Sequence, residues 1–204
     1  MPAWPRDILP QASSSFVMPG ALAAWGQSGK GQHRATAQIG RIWSETYPPF
    51  LASSIFGRRF LATINNLWRG GTEFTVDHRS YLTRNGTGTA GTPLVNGANQ
   101  TGASLVTDGW GINASDVLRG GDIIRIAGLK PVFVVTADVG SDGSGAATLS
   151  LNPPIFAGGS PADNAALTIT GVLLNAFMAS APDLPAAGPD GFIAGLTVTF
   201  REAV

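Results

Sequence analysis

A chain of 204 residues with 13 basic and 13 acidic side chains and no cysteine can bury a sizeable core, presents no polybasic field to nucleic acid or anionic lipid, and has neither disulfides nor thiolate metal sites. Charged residues are only 13% of it, against about 25% in an ordinary soluble domain, so a largely neutral surface covered by neighbouring subunits is expected. No apolar run approaches the roughly 20 residues that span a bilayer, and the proline-broken start lacks a signal-peptide core; a soluble protein without membrane contact or a classical export signal is expected.

Residues 1–36 carry Pro2, Pro5, Pro10 and Pro19 and then the glycine-rich GQSGKGQ, with Trp4, Phe16 and Trp25 scattered between. This composition predicts an extended N-terminal arm that docks onto a neighbour, followed by a β-rich core over 37–204. At its start, 37–45 reads as an edge strand with Ile39 and Trp43 on one side and Ile42 on the other. Trp4, Phe16, Trp25, Ile39, Ile42 and Trp43 are therefore the candidate interface residues. Deleting residues 1–35 is expected to leave the core folded and impair assembly.

Pro48 and Pro49 suit a helix start, and the spacing of Phe56, Phe60, Ile64, Leu67 and Trp68, extended by Leu51 and Ile55, predicts one amphipathic helix over about 49–69. Gly70 and Gly71 end it, and a strand follows over 72–78. The glycine-rich stretch 85–91 (NGTGTAG) reads as a flexible loop. From 93 to 155 the chain alternates Val/Ile/Thr-rich runs (123–127, 132–139, 147–151) with Gly, Asp and Pro clusters, the pattern of a small antiparallel barrel-like subregion. Pro153 and Pro154 are expected to stop its last strand. Residues 166–178 give two strands broken at Gly171. The run 192–202, where Leu196, Val198 and Phe200 alternate with Thr197, Thr199 and Arg201, predicts a strand buried on one face. The fold class is mainly β: an antiparallel β-sandwich or partly closed barrel with one helix and an extended arm.

The residues with chemical potential are better explained by turns than by catalysis. Gly86, Gly88 and Gly91 match the G-x-G-x-x-G dinucleotide pattern, but Thr92 and Pro93 follow where a helix should begin. Lys30 lies in a glycine-rich segment without P-loop spacing. Asp77, His78 and Ser80 are neighbours on an extended strand, which points successive side chains to opposite faces, and His78 reads as a hydrogen-bonded surface group. The aspartates sit beside Gly, Ser or Asn, where turn roles suffice, and no calcium-loop spacing occurs. Asn85, Asn99 and Asn113 open Asn-x-Ser/Thr triplets that read as turn chemistry. Trp4, Trp25, Trp43, Trp68 and Trp110 are the side chains that a sugar platform would need, although Trp68 fits the helix stripe as core. No catalytic, metal or cofactor site and no enzymatic activity is expected.

The succession FLATINNLWRGGTEFTVDH, VNGANQTGASLVTDGW, LRGGDIIRIAG, VVTADVGSDGSGAATLSLNPPI and a terminal FREAV resembles the distal tail proteins of long-tailed bacteriophages and related tail-like particles, over about residues 40–204. The GDIIRIAG strand with its S-D-G-x-G-x-A turn and double proline carries most of the likeness. The resemblance implies a β-sandwich core, an arm or belt that wraps a neighbour, and a ring, six copies in that family, that joins the tail tube to the hub or baseplate. It implies a structural virion protein of the tail tip, assembled in the host bacterial cytoplasm, with tube and hub proteins as partners. In that arrangement the 85–91 loop and the 141–145 turn would project towards other tail components. The alternatives are another virion station, such as a head-to-tail joining or tube protein, and a carbohydrate-binding module.

Overall fold

The computed structural model of the chain describes residues 1–13, 22–25, 32–35 and 40–203, the second and third stretches as backbone only. The fold is mainly β with one α-helix, as expected. It divides into two compact units, residues 1–76 with 175–204 and residues 77–174. The sheet of the first is a half-barrel and that of the second a nearly closed barrel.

In the first unit, β1 (Ala12–Ser13) lies against β4 (Ile42–Thr46), and the five-stranded sheet runs β1-β4-β15-β13-β6, with β15 at Thr197–Glu202, β13 at Leu173–Met178 and β6 at Phe74–Asp77. Two short ribbons join β2 (Leu22–Trp25) to β3 (Gln32–Ala35) and β5 (Phe50–Leu51) to β14 (Phe192–Ile193). The antiparallel register sets Phe200 opposite Trp43 and Thr197 opposite Thr46. Period-two alternation then turns Trp43, Glu45, Val198, Phe200 and Glu202 inwards, all buried, and leaves Ser44 hydrogen-bonded to Thr199 on the outer face (3.0 Å).

The helix α1 spans Ile55–Gly70, so it begins later than the prolines suggested. Phe50 and Leu51 pair with β14 instead, and Ser54 is the N-cap, its hydroxyl accepting from the Gly57 amide at 2.9 Å. Gly71, at φ 53°, closes the other end, its amide donating to Leu67 and Trp68 carbonyls. The buried stripe is Gly57, Phe60, Ile64 and Leu67. It is narrower than the expected one: Ile55, Phe56 and Trp68 face outwards and are exposed.

The second unit is a six-stranded sheet ordered β12-β9-β10-β11-β8-β7, with β7 at Leu94–Val95, β8 at Gly102–Asp108, β9 at Ile123–Ile126, β10 at Val132–Val135, β11 at Ala147–Ile155 and β12 at Leu167–Thr168. Its end strands meet: Leu94 bridges Ala166, and the Val95 amide donates to Ala165 at 2.9 Å. Leu105, Ile124, Ile126, Phe133, Val135 and Leu149 fill the interior. Pro153 and Pro154 do not stop β11. They fall where its register against β8 shifts, between Ser150 and Ile155, an interval in which a missing N–H breaks no regular rung.

Candidate functional site

Of the six candidate interface residues, two have side chains inside the chain's own core. Trp4 is 4% exposed and makes an edge contact with Phe200 (centroids 4.8 Å) and a tilted one with Phe74 (5.1 Å). Trp43 is stacked on Phe200 at 5.2 Å and is equally buried. Neither is offered to a neighbour, because alternation aims Trp43 at the core and the N-terminal segment carries Trp4 into it. Ile42 is half-buried on the opposite face of β4. Phe16, Ile39 and the Trp25 side chain lie outside the described residues.

The first 13 residues are extended, as expected, but they are docked on their own unit. The Trp4 amide donates to Thr75 of β6 (2.8 Å), the Thr75 amide donates to Pro2 (2.9 Å), and the Gln11 amide donates to Thr46 of β4 (2.7 Å). The segment thus runs from one edge strand of the half-barrel sheet towards the other. Midway it supplies a polar clamp. Arg6 forms two parallel bonds to Glu45 (2.8 and 3.1 Å), Tyr47 donates to the same carboxylate at 2.6 Å, and Trp4 Nε1 donates to the Tyr47 hydroxyl at 2.8 Å. Burial first, and then the adjacent Glu45 charge, hold the Tyr47 phenol far above its ordinary range. A second buried pair, Arg41 with Glu202 (3.0 Å), fixes the opposite end of the β4–β15 ladder, and Glu202 also accepts from the Arg41 amide.

In the second unit the 85–91 stretch is not a free loop. The buried Asp122 carboxylate accepts from the Asn85 amide (2.7 Å), the Asn85 side chain (2.9 Å), the Gly86 amide (3.2 Å) and the Arg119 amide (2.8 Å). The Arg84 guanidinium donates to the Val117 and Gly88 carbonyls. The glycines are needed for close backbone approach: a Cβ on Gly86 would lie 2.5 Å from the Val117 carbonyl oxygen, and one on Gly88 2.1 Å from that of Ser115. The dinucleotide-like pattern is therefore used to seat one backbone segment on another. The segment is anchored, and Asn85, Thr87, Thr89 and Gly91 stay exposed on its outer side.

The remaining chemical candidates are also held in local structure. His78 is buried, not a surface group; its Nδ1 accepts from the Ser80 amide at 3.2 Å, capping a short 3₁₀ turn. Trp110 is buried and donates to Thr107 (2.8 Å). Trp68, expected in the core, is exposed. Asp142 Oδ1 accepts from the Ser144 hydroxyl (2.7 Å), the Ser144 amide (2.8 Å) and the Ala146 amide (2.9 Å), and these bonds, that hydroxyl first, hold its carboxyl below the ordinary aspartate value. Asn99 and Asn113 have positive φ, in keeping with turn roles. Among the described residues, no group of three or more His, Asp or Glu is placed to hold a metal ion, and no helix is long and apolar enough to cross a membrane.

Sequence reasoning missed the buried charges. The signal was present in Trp43-x-Glu45-x-Tyr47 and Val198-x-Phe200-x-Glu202, since residues two apart on a strand share a face and an acid in such a series faces the core. What the located groups do is hold turns, loops and strands, and what remains outside is a thinly charged surface with the exposed side of α1. No model of a known protein family matches the chain, and no curated protein matches it.

Proposed function

We propose that the chain is a structural protein of a phage tail, a ring-forming adaptor at the distal end of the tail tube that connects tube to hub or baseplate. The reading rests on the likeness of residues 40–204 to distal tail proteins, with six copies per ring carried over from that family. The observation that supports it best is how the buried polar groups are used. Glu45, Glu202, Asp122 and His78 are each bonded to groups that fix the shape of a strand, loop or turn. Such a protein acts by presenting rigid surfaces to neighbours, and a surface with few charges favours association.

Light scattering and negative-stain imaging of the purified protein test this. A six-fold ring with a central hole is expected, which then binds tail-tube and hub proteins. A ring of another symmetry that joins head to tail would transfer the chain to a different virion station. A monomer that binds sugar through exposed aromatic residues would replace the reading.

A further inference from the structure

The outer face of α1 has a composition that an isolated surface helix does not need. Ile55 (69% exposed) and Phe56 (55%) stand side by side in its first turn. Beyond them Arg58, Arg59 and Arg69 are all exposed, and the helix has no acidic residue in its sequence. No i,i+4 carboxylate supports these arginines, and two of them lie near the positive end of the helix dipole, which disfavours cations. Among the described residues, Arg59 reaches Asp7 only at 3.8 Å, and Arg58 and Arg69 have no ion-pair partner. Farther along, Ala62, Asn65, Asn66, Arg69 and Gly70 line a shallow hollow.

The complementary surface is in the second unit. Residues 111–118 are laced to 138–145 by Asn113 to Asp142 (2.8 Å) and Val117 to Val139 (2.8 Å) bonds. This ribbon presents Ile112, 69% exposed, and the exposed carboxylate of Asp142 at its Asn113–Asp142 end, and the exposed carboxylate of Asp138, which accepts from the Gly120 amide (2.9 Å), at its Val117–Val139 end; neither aspartate has an ion-pair partner among the described residues. The two units also differ in net sign. The sequence of the first has eight basic and six acidic side chains, and that of the second has five basic and seven acidic. Contact between the first unit of one copy and the second unit of another is thereby favoured over contact between like units.

We propose that the outer face of α1 docks on the 111–118 and 138–145 ribbon of a second copy, with Ile55 and Phe56 against Ile112 and the arginines against Asp138 and Asp142. The contact is heterologous: each copy contributes two different surfaces, so the arrangement repeats and closes into a ring when the rotation permits. This deepens the ring reading and rests on it.

Two charge-reversed variants test it. R58E/R59E makes the helix face acidic. D138K/G143K makes the ribbon basic while keeping Asp142, which holds its turn; D138K gives up one bond from the exposed Gly120 amide, and a Cβ at Gly143 meets only the Asn113 side-chain amide, at 3.6 Å. Each variant alone opposes like charges and is expected to remain monomeric, with a wild-type far-UV spectrum. Mixed one to one, every contact joins opposite charges again, and rings of alternating copies are expected by light scattering and imaging. Either folded variant assembling alone to the wild-type mass would overturn the proposed contact and leave the ring reading standing. Failure of the folded pair to assemble on mixing would also overturn the contact. A wild-type protein that stays monomeric at all concentrations would remove both.

Discussion

Replacing Trp4 with alanine tests whether the first residues of the chain belong to its core. The indole is almost wholly buried, lies within 6.2 Å of Phe60, Phe74 and Phe200 by ring centroids, and bonds the Tyr47 hydroxyl. Truncating a buried tryptophan costs about 3–5 kcal/mol through lost transfer free energy and the cavity left behind, and the lost hydrogen bond adds about 1 kcal/mol. For a protein of this size, the core loss alone lowers the melting temperature by roughly 6–20 °C. Urea unfolding followed by far-UV circular dichroism gives the free energy, and Trp4→Phe, which keeps a ring and loses the Nε1 donor, is expected to cost less. Deleting residues 1–13 removes Trp4 and Arg6 together and leaves the buried Glu45 without its guanidinium partner, a loss of several kcal/mol more. The truncated core is therefore expected to be severely destabilised, contrary to the expectation from sequence that removal of the arm spares it. A Trp4→Ala stability within about 1 kcal/mol of wild type would refute the argument, since a core indole cannot be removed so cheaply.

Arg41→Met should destabilise by about 3–5 kcal/mol by stranding the buried Glu202 carboxylate, whereas Arg41→Met with Glu202→Leu should recover much of the loss, because well-packed apolar replacements of a buried pair are often neutral; chemical denaturation of the singles and the double gives the coupling. Asp142 should titrate below the ordinary aspartate value by carbon-detected NMR, and Ser144→Ala should move it upwards by removing the largest stabilising bond. Because the folded-state value is depressed, the contribution of this turn is present above the unfolded-state value and is lost as pH falls through the folded one. An unchanged Asp142 midpoint in Ser144→Ala would show that the hydroxyl does not set it.

The local periodicities of the chain located its main elements but not all of their bounds. Alternation placed one strand buried on one face over 192–202, of which Thr197–Glu202 forms β15 while Phe192–Ile193 turns away to pair with β5; three-and-four spacing with a double glycine marked α1 and its end, and Gly171 marked the break before β13. Elsewhere the same patterns named a face without naming what covers it. Phe56 and Trp68 fit an apolar helix stripe, yet α1 has room against its sheet for only Gly57, Phe60, Ile64 and Leu67. The glycines of 85–91 looked like loop flexibility, but the carboxylate that pins them is 36 or 37 residues away in sequence.

Strand content, the single helix and the turn held by Asp142 are set by residue order alone, because each depends on neighbours within a few positions. The destination of the first 13 residues and the roles of Glu45, Arg41 and Glu202 were decided by tertiary structure. Their partners lie 39 and 161 residues apart, and only the antiparallel pairing of β15 with β4 and the return of the N-terminal segment across β6 bring them together. A proline-rich segment is extended either way. Whether its tryptophan enters its own core or a neighbour's depends on the shape of the cavity that receives it, and that shape exists only once the half-barrel has formed.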